Sequence, residues 1–120
     1  MRTGEAIPRV APDAPLSAGL LEMSRKGLGM TVVVDAAQRI LGVFTDGDLR
    51  RALDKQIDVH ATVMRTVMTT HAKSIGPREL AGEAAHLMEV HRITALPVVD
   101  AEGRLIGALN VHDLMRAGVV

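Results

Sequence analysis

The sequence contains no cysteine, tryptophan or tyrosine, and Phe44 is its only aromatic residue. It therefore has no disulfide, no thiol nucleophile and no cysteine-based zinc site. Without aromatic side chains it also lacks the stacking platforms on which proteins hold single-stranded nucleic acid. The formal charge is balanced, with 14 basic and 14 acidic residues, so the basic footprint of a nucleic-acid binder is missing too. We expect no nucleic-acid partner.

No apolar run approaches the length of a membrane span, and Met1-Arg2-Thr3 does not open a signal peptide. We therefore expect a cytoplasmic protein with no membrane partner. Hydrophobic residues make up 48% of the 120 residues, which supplies a core and argues against disorder. The length is that of one ordinary domain.

The most informative feature that is present is an internal repeat. Shifted by 65 positions without a gap, Val33-Val34-Asp35-Ala36 falls on Val98-Val99-Asp100-Ala101, and Asp48-Leu49 falls on Asp113-Leu114. Such a repeat indicates that one supersecondary unit occurs twice and that the copies bury apolar faces against each other. We predict pseudo-twofold symmetry, with two related clefts between the copies.

The first copy has the pattern β-α-β-β-α. A helical stripe of Leu16, Leu20 and Met23 ends near Gly27, and residues 30–34 and 40–44 are apolar enough to be buried strands. Helices that cover one face of a sheet give an α/β (α+β) fold.

The second copy repeats this order, with strands over 95–99 and 105–109 and a closing helix over 111–117. Its helical stripe consists of Leu80, Ala84, Leu87 and Met88. We place the first copy at residues 1–58, a linker at 59–66 and the second copy at 67–120.

Each copy carries the same polar turn where a strand leads into a helix: Thr45 precedes Asp48 by three positions, as Asn110 precedes Asp113. One interpretation is a capping box, in which the two side chains satisfy backbone amides at the helix start. The other is a ligand site, because open amides at a helix start attract phosphate, and a carboxylate accepts both hydrogens of a ribose diol. The two interpretations are compatible, and an Asp at matching positions in both copies favours a sugar-phosphate ligand.

The repeated β-α-β-β-α unit, Leu96-Pro97-Val98-Val99-Asp100 and the Gly-x-x-[Ser/Thr/Asn]-x-x-Asp turn together resemble a pair of cystathionine β-synthase (CBS) domains. The resemblance covers essentially the whole chain. It implies a disc-like module, often dimeric, whose clefts bind adenosine nucleotides or related ligands and regulate an attached domain. By position, it implies phosphate and ribose contacts from the turn residues Thr45, Asp48, Asn110 and Asp113. It also implies a base pocket lined by the backbone of the strand residues Met30, Thr31, Val32, Ala95, Leu96 and Pro97.

Two departures from that family lead us to expect unequal clefts. Val32 stands where the second copy has Pro97, and Asn110 replaces the usual hydroxyl. We add Arg50 and His112 as candidate ligand contacts because they follow or lie within the turns. One of Arg50 and Arg51 could bind a phosphate or carboxylate, but position does not choose between them.

A second resemblance is narrower. The segment Gly42-Val43-Phe44-Thr45-Asp46-Gly47-Asp48-Leu49-Arg50-Arg51 and the ending 112–120 are similar to the C-terminal half of bacterial D-arabinose-5-phosphate isomerases. That resemblance implies a parent enzyme with a sugar isomerase (SIS) domain before its CBS pair, acting in the synthesis of Kdo, a lipopolysaccharide sugar. This chain starts where the first copy begins. We therefore expect a regulatory fragment that lacks the SIS domain, its partner in the parent chain, and carries no catalytic residue.

The resemblance implies a small-molecule effector, either an adenosine nucleotide or CMP-Kdo, a homodimer formed through the CBS pairs, and no required cofactor. The alternative is a module that binds no ligand and holds isomerase subunits together as a homodimer. Catalysis by the chain itself is disfavoured, because no nucleophile, base and orienting group are suggested by spacing. We also expect no metal site, since His86 and His91 would lie about 140° apart on a helix.

Overall fold

The computed structural model describes residues 1–78, 81–116 and 118, and the side chain of Ala81 is not described. A 3₁₀ turn at Gly4–Ala6 comes first. The regular elements then follow as β1 (Arg9–Val10), α1 (Leu16–Lys26), β2 (Met30–Val34), β3 (Ile40–Thr45), α2 (Asp46–Asp54), α3 (Met64–Val67), α4 (Ala81–His91), β4 (Ala95–Val99), β5 (Leu105–Asn110) and α5 (Val111–Arg116).

These elements form two compact units. One is continuous, Pro8–Ala72, and the other is discontinuous, combining Met1–Ile7 with Lys73–Val120. The compact units divide the chain differently from the expected repeats at 1–58 and 67–120, and those repeat bounds stay a prediction. The segment taken as a linker packs within the continuous unit, where Val59 O and Thr62 O accept from the amides that open α1 and Met64 is fully buried.

In the continuous unit, a three-stranded sheet has the order β1-β2-β3. Strand β1 runs parallel to β2, and β2 pairs antiparallel with β3. Every residue of β2 is buried, as its largely apolar, β-branched composition predicts. The core comprises Leu16, Met23, Val33, Phe44, Ala52 and Met64.

Helix α1 ends where the sequence indicates. Gly27 adopts a left-handed conformation (φ 69°), and its amide donates to Met23 O. Glycine takes this backbone conformation without the steric penalty that a Cβ brings. The chain then turns at once into β2.

In the discontinuous unit, β4 and β5 form an antiparallel pair. The strand expected before α4 is reduced here to a single parallel bridge from Ile75 to Val98. The core comprises Ile75, Ala84, Met88, Leu96, Val98 and Leu114. Ala84 and Met88 are therefore confirmed as core residues, whereas Leu80 and Ala117 lie outside the described residues.

The strand registers confirm the repeat. Met30 pairs with Thr45 in one hairpin and Ala95 pairs with Asn110 in the other, and both hairpins shift register at equivalent points, Val33/Val34 and Val98/Val99. Equivalent registers place the two polar turns at equivalent strand ends. No helix within the described ranges is long and apolar enough to cross a bilayer.

Candidate functional site

The first polar turn is a capping box at the start of α2. The Asp48 amide donates to Thr45 Oγ1 (3.4 Å), and the Thr45 amide donates to Asp48 Oδ2 (2.9 Å). The three-residue spacing in the sequence therefore predicts the cap correctly. These bonds satisfy amides that have no partner within the helix.

Asp48 is more than a cap residue, because both oxygens of its carboxylate have further donors. Oδ2 also accepts from Thr45 Oγ1 (3.2 Å), while Oδ1 accepts from Thr69 Oγ1 (2.8 Å) and Arg51 Nη2 (2.5 Å). The Asp48 side chain is only 7% exposed. This nearly buried carboxylate therefore accepts four hydrogen bonds, from the amide and hydroxyl of Thr45, from Thr69 and from Arg51.

The second turn has the same cap at the start of α5. The Asp113 amide donates to Asn110 Oδ1 (2.9 Å), and the Asn110 amide donates to Asp113 Oδ2 (3.2 Å). Asp113 Oδ1 accepts from Arg116 Nη2 (2.5 Å) and lies 3.7 Å from Arg2 Nη2. Where Asp48 Oδ1 contacts one guanidinium and one hydroxyl, Asp113 Oδ1 contacts two guanidinium groups.

The electrostatics of Asp113 follow from these contacts. Partial burial raises the pKa of its carboxyl, but the hydrogen bond from the Asn110 amide, the hydrogen bond from Arg116 and the charges of Arg2 and Arg116 lower it. The net pKa lies below the ordinary value for Asp. The side chain therefore stays ionised to a lower pH than an ordinary Asp does.

The six strand residues predicted to line a base pocket are all buried: Met30, Thr31, Val32, Ala95, Leu96 and Pro97. Thr31 Oγ1 donates to Gly19 O (2.9 Å). The Val32 amide donates to Pro8 O, and Pro97 O accepts from the Ile75 amide. These residues support the turns through the hairpin registers, and their side chains belong to the interior.

Arg50 and His112 are exposed, and it is Arg51 that contacts Asp48. The repeat contains the signal that separates the two arginines. Shifted by 65 positions, Arg51 falls on Arg116, the residue that contacts Asp113, whereas Arg50 falls on Met115. Sequence reasoning missed Thr69 and Arg2, which reach the turns from distant parts of the chain.

A hollow of about 150 Å³ lies beside the first turn within the continuous unit. Its lining consists of Asp48, Arg51, Ala52, Lys55, Ile57, Thr66 and Val67. A carboxylate next to two cationic side chains can recognise a molecule that carries both hydroxyl donors and an anionic group. The hollow is smaller than the roughly 300–1,000 Å³ of typical small-molecule pockets, so it suits one part of a nucleotide-sized ligand.

A larger hollow of about 430 Å³ lies between α1 and α2 of the same unit. It is lined by Leu20, Met23, Ser24, Gly27, Gly29, Asp46 and Leu49. Its walls are mainly apolar, and Asp48 is not among them. In the described part of the chain, no group of three or more His, Asp or Glu residues is arranged to hold a metal ion.

The repeat, the hairpin registers and the paired turns define a known class of module. The family model for the CBS domain matches residues 2–55 and again residues 64–120. The chain belongs to the CBS domain family and carries two copies of the domain.

Among curated proteins, the chain is similar to arabinose 5-phosphate isomerase KdsD. It is 53% identical over 120 residues to the Pseudomonas aeruginosa enzyme, covering 100% of this chain and 37% of that protein. It is 48% identical to the Escherichia coli K12 enzyme, again over 100% of this chain and 36% of that one. The chain thus spans little more than a third of the length of these relatives.

Among solved structures, a protein with CBS domains from Burkholderia ambifaria is 30% identical, with a TM-score of 0.84 over 94% of this chain and 82% of that one. CBSX2 of Arabidopsis thaliana, solved with AMP, is 28% identical, with a TM-score of 0.82 over 99% and 92%. The cytosolic domain of the Mg²⁺ channel MgtE, solved with ATP, is 26% identical, with a TM-score of 0.77 over 97% and 46%.

Proposed function

We propose that this chain is the effector-binding regulatory module of a D-arabinose-5-phosphate isomerase, which acts in the synthesis of Kdo for lipopolysaccharide. The observation that carries the proposal is the buried carboxylate of Asp48 at the edge of a hollow lined by Arg51 and Lys55. Two further findings support it: the relatives that this chain matches along its full length are named as this isomerase, and similar CBS structures hold AMP or ATP.

The chemistry of the hollow favours a ligand that carries a vicinal diol and an anionic group. Asp48 accepts hydrogen bonds from hydroxyls, and Arg51 and Lys55 supply positive charge for a phosphate or carboxylate. Adenosine nucleotides have both features, and so does CMP-Kdo, whose ribose and sugar carboxylate are separated by a phosphate. We propose these two classes as effectors, contacted by Thr45 and Asp48 in one copy and by Asn110 and Asp113 in the other.

Calorimetry and thermal shift with AMP, ATP, CMP and CMP-Kdo test the proposal. A ligand that binds the folded state raises its stability by an amount set by concentration and affinity. We expect saturable binding of at least one of these compounds, weakened tenfold or more by Asp48→Asn. Asp54→Asn, an exposed position on the same helix, is the matched control and should bind as the parent does. Absence of stabilisation by all four compounds at millimolar concentration would refute the proposal.

One observation favours a second function. Both oxygens of Asp48 already accept hydrogen bonds from protein donors, as expected if the turn only stabilises the fold. The chain would then be a module that binds no ligand and joins isomerase subunits into a homodimer. In that case, removing it from the intact enzyme would break the oligomer, while the response to effectors would stay the same.

A further inference from the structure

Two short segments outside the regular strands pair with the two hairpins in the same way. Thr69 exchanges backbone hydrogen bonds with Val43 (2.8 and 3.0 Å), and Arg2 exchanges them with Ala108 (2.7 and 3.0 Å). Val43 and Ala108 are equivalent in the repeat, 65 positions apart. Each hairpin therefore has one extra residue bridged to the outer edge of its second strand.

Both segments also place a methionine over a glycine of the hairpin. A Cβ on Gly42 would lie 2.9 Å from Met68 Sδ and 2.7 Å from Thr69 O. A Cβ on Gly107 would lie 2.6 Å from Met1 Sδ and 3.2 Å from Arg2 O. At Gly42 the backbone oxygen is too close for any Cβ, whereas at Gly107 the Met1 side chain would have to move aside. Glycine at each position therefore allows the segment to approach the strand closely.

The residue after each methionine then reaches the capping aspartate. Thr69 Oγ1 donates to Asp48 Oδ1, and Arg2 Nη2 lies 3.7 Å from Asp113 Oδ1. The same arrangement is thus built twice, from residues in unrelated parts of the chain. In the first copy the neutral hydroxyl of Thr69 contacts the aspartate, and in the second copy the charged guanidinium of Arg2 does so.

We propose that Met68-Thr69 is a displaceable strap that competes with the effector for Asp48. A carboxylate oxygen offers about two lone-pair positions, and both positions on Oδ1 are taken by Thr69 and Arg51. The two donors to Oδ2 both come from Thr45, whose amide belongs to the helix cap. A ligand hydroxyl at Oδ1 must therefore displace a donor.

Thr69 is the donor that belongs to the strap. The side chain of Arg51 is 67% exposed and can turn to an anionic group of the ligand without disturbing α2. The Thr69 hydroxyl is attached to the Cβ of a residue that bridges β3, so it leaves Oδ1 either by rotation about χ1 or by movement of the strap away from Val43. The strap leads directly into Lys73, where the chain enters the discontinuous unit.

The predicted competition with a ligand rests on the proposed function, whereas the anchoring of the strap can be measured by amide exchange without ligand. Thr69→Val keeps the shape and the strand preference of the residue but removes the hydroxyl. We expect the Val43 and Thr69 amides to exchange faster in this variant, because the strap loses its anchor. We expect AMP or CMP-Kdo, whichever binds the parent chain, to bind about threefold to tenfold more tightly, the usual effect of one hydrogen bond.

Two matched variants complete the experiment. Thr70→Val alters the exposed neighbour and should change neither exchange nor affinity. Thr69→Ser restores a hydroxyl and should return both toward the parent values. Weaker or unchanged binding by Thr69→Val, with the parent still binding, would overturn the strap alone. Failure of every variant and of the parent to bind would overturn the proposed function and the competition together.

Discussion

Asp48 and Asp113 occupy equivalent positions and make equivalent caps, yet their carboxylates have different additional partners. Asp48 is held by Thr69 and Arg51, and Asp113 by Arg2 and Arg116. A hydroxyl is more easily displaced than a guanidinium that pairs with a carboxylate. A ligand hydroxyl therefore reaches Asp48 more easily than Asp113. The expectation of unequal sites began from Asn110 and Val32, and the contacts to the carboxylates supply a further reason for it.

For individual residues, the sequence predicts contacts between side chains that are close together along the chain. The three-residue spacing identifies both caps, because a cap involves only neighbours along the chain. The contact from Thr69 to Asp48 spans 21 positions, and no sequence motif around either residue predicts it. Met1-Arg2 and Met68-Thr69 are 67 positions apart rather than 65, so the gap-free comparison that reveals the repeat passes over them.

The charge on Asp113 makes a prediction about acid stability. Asp113→Asn should lower the free energy of unfolding at neutral pH by about 0.5–2 kcal/mol, the usual size of a cap contact. Because the folded pKa of Asp113 is lowered, its contribution is fully present above the unfolded pKa of about 3.9. It is lost as the pH falls through the lower folded pKa. Denaturant unfolding from about pH 2 to pH 7 measures this difference.

Asp54→Asn serves as the control for that titration, since Asp54 is exposed at the end of α2. It should differ little from the parent across the same range. A gap between parent and Asp113→Asn that stays constant down to the lowest pH would contradict the role given to the carboxylate charge.

The hairpins and helices are the part of the structure that apolar patterning predicts best. Strands β2 and β4 have the bounds predicted from their apolar runs, and α1 ends at Gly27 as expected. The strand before α4 is the exception, because only Ile75 bridges Val98 there. In the first copy, Arg9 is held by Glu22 and Gln38, whereas Ser74 at the equivalent position is exposed. A hydrophobicity pattern does not predict hydrogen bonds between residues so far apart in the sequence.

The packing of the strap on β3 makes a prediction about glycine. Gly42→Ala places a methyl group 2.7 Å from Thr69 O, so the strap must shift, and we expect a loss of about 1–3 kcal/mol, as for overpacking elsewhere. Gly47→Ala is the matched control. Its Cβ meets no atom closer than 3.7 Å, and alanine in a helix is favoured over glycine by roughly 0.5–1 kcal/mol. Denaturant unfolding of the two variants should show changes of opposite sign, and a neutral Gly42→Ala would contradict the close approach.

The organisation of the whole chain is harder to predict from the sequence than its individual helices and strands. The repeat itself and the α+β class follow from self-similarity and periodicity. The division into two units does not follow from them. Met1–Ile7 joins Lys73–Val120 through backbone pairing that no sequence motif predicts. The segment expected as a linker carries Met64, a fully buried core residue.

The discontinuous unit makes a prediction about truncation. Deleting Met1–Ile7 removes the bridge to Ala108 and the buried Ile7, which is 2% exposed. We expect a loss of about 2–5 kcal/mol, the range for removing a large core side chain, and faster exchange of the Gly107 and Ala108 amides. Deleting only the first three residues keeps Ile7 and should have the smaller effect. Unchanged exchange at Ala108 after the longer deletion would show that these residues do not complete the unit.

The discontinuity also has a consequence for synthesis on the ribosome. The continuous unit is complete once Ala72 has left the exit tunnel, so it can fold while translation proceeds. The first seven residues emerge earlier still, but the strand edge that receives Arg2 is translated more than a hundred codons later. Residues 1–7 therefore cannot pair with this strand edge until residue 108 has been translated.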